Sequence, residues 1–435
     1  MQSFAMTSRP HTQRGQRGVA ALVITVLLFF TMLLASVYVN RNLVFEQRSS
    51  ANQYRATQAF EAAEAGLEWA TAQLNSNQRI GADCLGAPAQ ATSFRERFVA
   101  HDRATLRYAG RSVGTGAAAL PLQAACVRAG AGWSCSCPSD GAPVLAPSNA
   151  DNAPAFIVQF LGGDKPGVLR VVSTGCTSFA GACTGAAAAA ADRPDATAKV
   201  EVSLGLLSAI ATLPVAALTA RGAVDAGNGA LGLHNADPAS GIAVHAGSTV
   251  SAPLARLTSP AGASVATAIV EGDSELAALA TERLFTTFFG IDKLAWKNLP
   301  VVRRIACNGD CSASLVGALD AGIVNPMLWV APMAGATARI VGPLTLGSPE
   351  RPVVIVVDGP LQISGAVRVH GVLYAASLAW TDAPMPGALL RGAVVLEGGY
   401  AGDAAADLVY DAALLATLKS ATGALVRING SWRDY

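Results

Sequence analysis

From Val19 to Val39 the chain carries an uncharged apolar run of 21 residues, thirteen of them Val, Ile, Leu or Phe. As a helix rising about 1.5 Å per residue it would extend about 31 Å, close to the thickness of a bilayer's hydrocarbon core. A few tenths of a kcal/mol per apolar residue favour its insertion by roughly 4–7 kcal/mol, before the small polar terms from Thr25, Thr31 and Ser36. Beyond it, Phe60, Ala63, Leu67, Ala70 and Leu74 recur at alternating spacings of three and four, which places them on one helical stripe. Glu61, Glu64 and Glu68 fall on another stripe. The pattern predicts one helix of about 55 residues, apolar all round in its first half and docked along one stripe on a globular body in its second.

The periodicity then changes. Phe156 to Phe160, Val168 to Ser173 and Thr197 to Leu204 are β-branched or alternating and are separated by Gly-, Pro- or Ala-rich breaks, so they read as strands of a small head. The run Ala186 to Ala191 reads as an exposed connection in that head. From about Ser208 a different texture begins. Gly359, Gly365 and Gly371 are six apart; Leu361, Ile363, Val367, Val369 and Leu373 share one parity, and Gln362, Ser364, Arg368 and His370 the other. Period-two alternation interrupted by turns is the mark of stacked short strands with one buried face. Ala223 to His234, Gly241 to Val250 and Ala393 to Glu397 repeat it more loosely. The expected architecture is a β-solenoid, with a β-sandwich as the alternative. A helical insert is expected from Asp273 to Gly290, covering an end or side of the solenoid, and a second helix from Asp411 to Ser420, capping the other end.

The leader, Met1 to Gly18, carries Arg9, Arg14 and Arg17 and no acid, which leaves the N-terminus in the cytoplasm and sends everything after Asn40 outside. An ordinary cleaved signal peptide would show a small-residue exit after the apolar run; here the pattern continues as helix.

Two segments of this helix, Gln16-Arg17-Gly18-Val19-Ala20-Ala21-Leu22-Val23 and Gln58-Ala59-Phe60-Glu61-Ala62-Ala63-Glu64-Ala65-Gly66-Leu67, resemble the N-terminal region of PilX-type type IV pilus minor pilins. The resemblance covers residues 14 to 75 and extends weakly through Val171 to Cys176 and the strand from Lys199 to Leu204. It implies cleavage by a prepilin peptidase after Gly18, methylation of the new terminus Val19, residence in the inner membrane, and extraction into a filament beside other minor and major pilins. Such a helix can bury one apolar surface against lipid or against its neighbours. Most pilins carry a glutamate five residues into the mature chain, where this chain has Val23. That carboxylate neutralises a neighbour's amine, so its absence implies a place at or near the tip.

The whole is therefore expected to be α+β, partitioned as a prepilin-type leader (1–18), a membrane-spanning then amphipathic helix (19–75), a pilin-like β head (76–206) and a β-solenoid-like domain with a helical insert (207–435). Of 435 residues 51% are hydrophobic and only 14% charged, and the net charge of +1 provides no basic footprint for nucleic acid. Eight cysteines all follow the membrane run and so lie on the oxidising side, where they read as disulfides. Cys307 and Cys311 flank an Asn308-Gly309-Asp310 turn, Cys176 and Cys183 flank Gly181, and Cys84, Cys126, Cys135 and Cys137 share two more bridges whose pairing the sequence leaves open. Cys135 and Cys137 lack the spacing of a zinc knuckle and no histidine is near, so no metal or cofactor is expected. The turn from Asp225 to Asn228 lacks a complete set of calcium ligands.

Asp358, Glu397, Asp403 and Asp407 read as solvated turn or strand-end residues, and His234, His245 and His370 have no Ser or Asp at motif spacing. No catalytic residues are expected. The sequence thus points to a structural pilus subunit that takes part in assembly and presents its β body to a surface or host ligand. An inner-membrane-anchored periplasmic solenoid scaffold, a carbohydrate-active module in the same place and a type II secretion pseudopilin are the alternatives.

Overall fold

The computed structural model describes residues 17–87, 92–102, 105–114, 116, 119–145, 153–178, 183, 196–226, 230–320, 325–333, 336–382 and 387–435. The fold is α+β. Helix α1 runs from Arg17 to Leu74 without a break. Contacts separate a unit ending at Thr57 from one extending from Gln58 to Tyr435, and it is the second that holds the head and the solenoid. The leader before Arg17, the alanine run 186–191 and the second half of the turn 225–228 lie outside the described residues.

Next comes a short helix, α2 (Phe94–Phe98), fixed by a capping box in which Ser93 accepts from the Glu96 amide and the Glu96 carboxylate accepts from the Ser93 amide. Together with the end of α1 it covers a seven-stranded antiparallel sheet whose order is Gly423–Arg427, Thr197–Ser208, Val168–Cys176, Ala155–Gly162, Gln123–Ala129, Gly132–Ser136, with Arg433–Asp434 also pairing onto Thr197–Ser208. Leu67, Leu74, Phe94, Phe98, Phe156 and Phe160 fill the core between helices and sheet.

This sheet corrects the expected partition. The head does not end at residue 206: the strand Thr197–Ser208 continues past it, and the last residues of the chain return to pair with that strand, Leu207 opposite Ala424 and Leu204 opposite Arg427. Residues 209–422 are therefore an insertion between two neighbouring antiparallel strands of the head. The entrance and exit of the insertion touch, with the Ala209 amide 2.8 Å from the Thr422 carbonyl.

The insertion is a three-sided solenoid in which every strand pairing within its two large sheets is parallel, which an antiparallel sandwich could not give. One full rung is Val353–Val357, Pro360–Ser364 and the first half of Val367–Ala375. Its corners are Gly359, Gly365 and Gly371, all with positive φ. Rungs do not stack in sequence order. Leu218, Val224 and Leu233 of the first rung laid down lie on Val394, Tyr400 and Leu408 of the last, so the chain builds outward from the middle, leaves through a helical segment, restarts at the far end with Val302–Cys307 and works back.

On one side of the solenoid the strands read as continuous apolar runs because both their faces are covered. Val353, Ile355 and Val357 point into the solenoid core, while Val354 and Val356 point outward under helices. Where one helix was expected from Asp273 to Gly290, the structure has α3 (Ser274–Ala278), capped by Asp273, and α4 (Thr281–Phe289), ended by Gly290 in the left-handed region, followed by α5 (Lys293–Lys297). Next along the chain, α6 (Ser312–Asp320), which the pattern did not announce, puts Leu315 and Ala318 into the solenoid core beside Val302–Cys307. The helix expected from Asp411, α7 (Ala412–Ala421), does not cap an end. Its Leu414, Leu415 and Leu418 share one lateral cluster with Phe285, Phe289 and Trp296.

Gly371 and Gly392 are stacked partners at the corner where two sides of the solenoid meet. A Cβ on Gly371 would lie 1.8 Å from the Val353 carbonyl oxygen, and one on Gly392 1.9 Å from that of Gly371. Gly371→Ala should therefore cost about 3 kcal/mol or more, read as a lowered urea midpoint. Gly262→Ala is the control: its φ is also positive but nothing lies within 4 Å, so it should cost only about 1–2 kcal/mol.

Candidate functional site

The feature most unlike an ordinary soluble fold is α1. Among the described residues it is the one helix long and apolar enough to cross a membrane. Large apolar side chains from Val19 to Val39 are 47–71% exposed, a state that water penalises and lipid or other helices relieve. Both threonines in this stretch turn their hydroxyls inward, Thr25 donating to the Leu22 carbonyl and Thr31 to that of Leu28, both at 2.9 Å, so neither is left wanting a partner in hydrocarbon. Gly18 stands at the helix start with open space where a Cβ would be, and Val19 follows it, exposed. Val23, in the position where the resemblance implies a carboxylate, is exposed too.

From Ala59 onward the same helix is seated on the head. Ala59, Ala62, Ala63, Leu67, Ala70 and Leu74 are buried, Phe60 is half-buried, and Glu61, Glu64 and Glu68 face solvent. Small residues set the depth of this seat. A Cβ on Gly66 would meet Ser173 Oγ at 2.4 Å and the Phe156 ring at 2.7 Å, and one on Gly175 would lie 2.1 Å from the Ala59 carbonyl and 2.3 Å from the Ala63 nitrogen. Trp69 closes the flank edge-on to Phe94 at 5.3 Å, and Phe60 meets Trp432 at 6.3 Å. Glu68 and Arg427 pair at 2.6 Å but are both exposed, which makes that bridge a minor contributor.

Below the helix the chain is cross-linked. Cys84 pairs with Cys137 and Cys126 with Cys135, the latter directly across the hairpin of Gln123–Ala129 and Gly132–Ser136. Cys176 pairs with Cys183, and in the solenoid Cys307 with Cys311. Inside the loop closed by Cys84 and Cys137 the buried guanidinium of Arg97 donates to the carbonyls of Ile80, Gly81 and Cys137 at 2.6–2.8 Å, and burial lowers its pKa from the usual arginine value.

Several polar residues that the sequence leaves scattered are brought together. Asp407 is not a solvated turn residue: it bonds Arg256 at 2.5 Å and His234 Nε2 at 3.1 Å, and His234 Nδ1 reaches Thr258 at 2.8 Å, so the group ties three successive rungs. Gly232 makes room for it, since a Cβ there would sit 2.2 Å from Asp407 Oδ1. Glu397 likewise binds Lys293 and accepts from the Tyr374 hydroxyl at 2.8 Å, pinning the helical segment to the solenoid. His245 meets Asp273 at 2.7 Å, and the Asp273 carboxyl is held below its usual pKa by the amide of Leu276 and then by this imidazole. Among the described residues no three His, Cys, Asp or Glu side chains converge as a metal site requires.

Residues 17–68 match the family described as PilX N-terminal. The helix is thus type IV pilin-like in sequence as well as in form. Among curated proteins none matches the chain. A crystal structure of the competence-associated pilin ComZ from Thermus thermophilus aligns with it at 13% identity and a TM-score of 0.23, over 88% of this chain and 97% of that one.

Substituting Gly175 with leucine should lift α1 from the sheet and cost about 1–3 kcal/mol, read as a lower melting temperature with earlier proteolysis within residues 59–74. Loop-closure entropy ranks the bridges as well. Replacing Cys84 and Cys137, 53 residues apart, with serine should cost about 4 kcal/mol, roughly twice the about 2 kcal/mol for Cys307 and Cys311, which are four apart.

Proposed function

We propose that this chain, type IV pilin-like in its N-terminal helix, is a minor pilin: a prepilin cut after Gly18, held in the inner membrane by residues 19–39 with its N-terminus in the cytoplasm, and then drawn into a pilus. The observation that carries this reading is the division of α1. Its first part exposes an apolar surface on which Thr25 and Thr31 turn their hydroxyls back to the helix backbone, and its last turns are locked into a disulfide-bonded head. Burial against lipid before extraction and against other pilin helices afterwards serves the same side chains without refolding. Neighbouring pilins, prepilin peptidase and the membrane are then its partners, and the solenoid is the part displayed to the outside. Val23 in place of the usual carboxylate suits a subunit at or near the tip, which has no preceding amine to neutralise. The body acts by structure and display, the carboxylates of Asp407 and Glu397 being spent on ion pairs that hold rungs and helices together.

Mass spectrometry of the mature protein tests this directly. Its first residue should be Val19, carrying one methyl group on the amine, and Gly18→Arg should leave the full-length form and abolish its entry into pili. A mature chain that begins at Met1, or beyond Val39, would leave the anchored periplasmic scaffold or a secreted β protein instead. A chain processed at Gly18 but recovered only with a secretion complex would make it a pseudopilin.

A further inference from the structure

The seated part of α1 lies along the strand Val168–Cys176. Ala59 and Ala63 approach Gly175, Gly66 approaches Ser173, and Asn75 reaches Leu425, which stands opposite Leu206 at the other end of the sheet, where Val168 faces Gly205. The insertion leaves from that second end, through Ser208 and Gly423. The helix therefore enters the head at one end of the strands and the solenoid leaves it at the other, so a pull between the two runs along the strands.

Gly423–Arg427 is the strand on which that pull falls. One of its edges makes five register pairs with Leu204–Ser208, and Thr197–Ser208 passes the load through nine more to Val168–Cys176, the strand beneath α1. The other edge is tied to the end of α1 by two bonds of 2.8 Å between Asn75 and the Leu425 backbone, and Leu425 is buried in one cluster with Leu67 and Leu74. Bonds between antiparallel strands lie perpendicular to the strands, so a pull along the strand axis loads all of them at once. The opposite direction is different. Beyond Arg427 the chain runs on beside Thr197–Ser208, with Arg433 opposite Glu201 and the Tyr435 amide donating to the Lys199 carbonyl at 2.9 Å. Lys199 stands opposite Thr174, next to Gly175, so Tyr435 lies at the end where α1 enters. A pull between α1 and Tyr435 lifts the strand from Arg427 onward, one bond after another.

We propose that Gly423–Arg427 is a mechanical clamp: when α1 and the solenoid are drawn apart, the load shears this strand along both edges, and the solenoid stays joined to the helix under tensions that would strip the same strand from its other end. The device requires only an anchor on α1 and a grip on the solenoid. It is independent of processing at Gly18 and of entry into a filament.

Single-molecule force spectroscopy on the full chain in detergent micelles tests the assignment. Handles on unnatural residues at positions 61 and 419, both exposed, pull along the strands. Lys419 lies beside the stem, its carbonyl accepting from Ser208 Oγ at 2.7 Å, so the load enters both stem strands. Handles at 61 and 435 lift the strand from its Arg427 end. At equal loading rate the first pair should rupture at a force at least about twofold higher than the second, because bonds that share a load break together. Asn75→Ala, which releases one edge, should lower the first force by about 1.5-fold or more and the second by less. If Asn75→Ala does not fold, the two pulling directions on the natural chain decide alone. A smaller difference between the directions, a greater force from position 435, or a folded Asn75→Ala chain as strong as the natural one would overturn the proposal.

Discussion

Everything in the body depends on the pairing of Leu204–Ser208 with Gly423–Arg427. These short antiparallel segments close the head sheet and at the same time form the stem from which the solenoid grows. Their outer edge would be an open strand with unpaired amides and carbonyls. Two buried asparagines satisfy it from opposite directions. Asn75, just past α1, exchanges two bonds of 2.8 Å with the backbone of Leu425, and Asn325, from the solenoid, exchanges bonds of 2.8 and 3.2 Å with Gly423. A side-chain amide carries a donor and an acceptor at the spacing of a peptide group, so each asparagine serves as a one-residue strand. Helix, head and insertion thus meet on one edge, and loss of any of the three leaves buried polar groups unsatisfied in the other two.

The seat of α1 follows a related logic. Close packing of a helix on a sheet is limited by side-chain bulk, and here the closest approach is made by Ala59, Ala63 and Gly66 on the helix and by Gly175 on the sheet, with Leu67 and Leu74 filling the core beside it. The first half of the same helix has the opposite composition, with Leu, Val and Phe on every side. Bulky residues fit a surface that must fill lipid or a helical bundle, whereas small residues fit one that must lie flush and stay. One continuous element therefore carries two packing codes, and the head holds only the second.

How much of this could be read from the chain depends on the range of the interaction. The helix was legible because the spacing from Phe60 to Leu74 is set by contacts within one element and its immediate seat. One rung was legible because Gly359, Gly365 and Gly371 mark its corners and the parity of Leu361 to Leu373 marks its inner face. The insertion was not, because Gly423–Arg427 is an ordinary short apolar strand whose partner lies more than two hundred residues earlier, and nothing local distinguishes a neighbour in the head from a neighbour in the solenoid. The double burial of Val353–Val357 concealed that the helix from Asp411 docks on the side of the solenoid and not on its end, for a similar reason: a strand covered on both faces loses its alternation. Asp407, Glu397 and His234 looked isolated because their partners are on other rungs, a relation that stacking order creates and sequence order conceals.

Stacking order also bears on how the solenoid can fold. In a linear repeat protein each rung rests on the one made before it. Here the rung containing Leu218 can be completed on one face only after Val394, made far later, arrives to cover it. The same late segment continues through Leu408, α7 and Gly423 into the head sheet. Closing the solenoid and closing the head are therefore parts of one long-range event, the kind of pairing that loop entropy makes slow. The stem that carries the solenoid therefore forms only when the solenoid itself is complete.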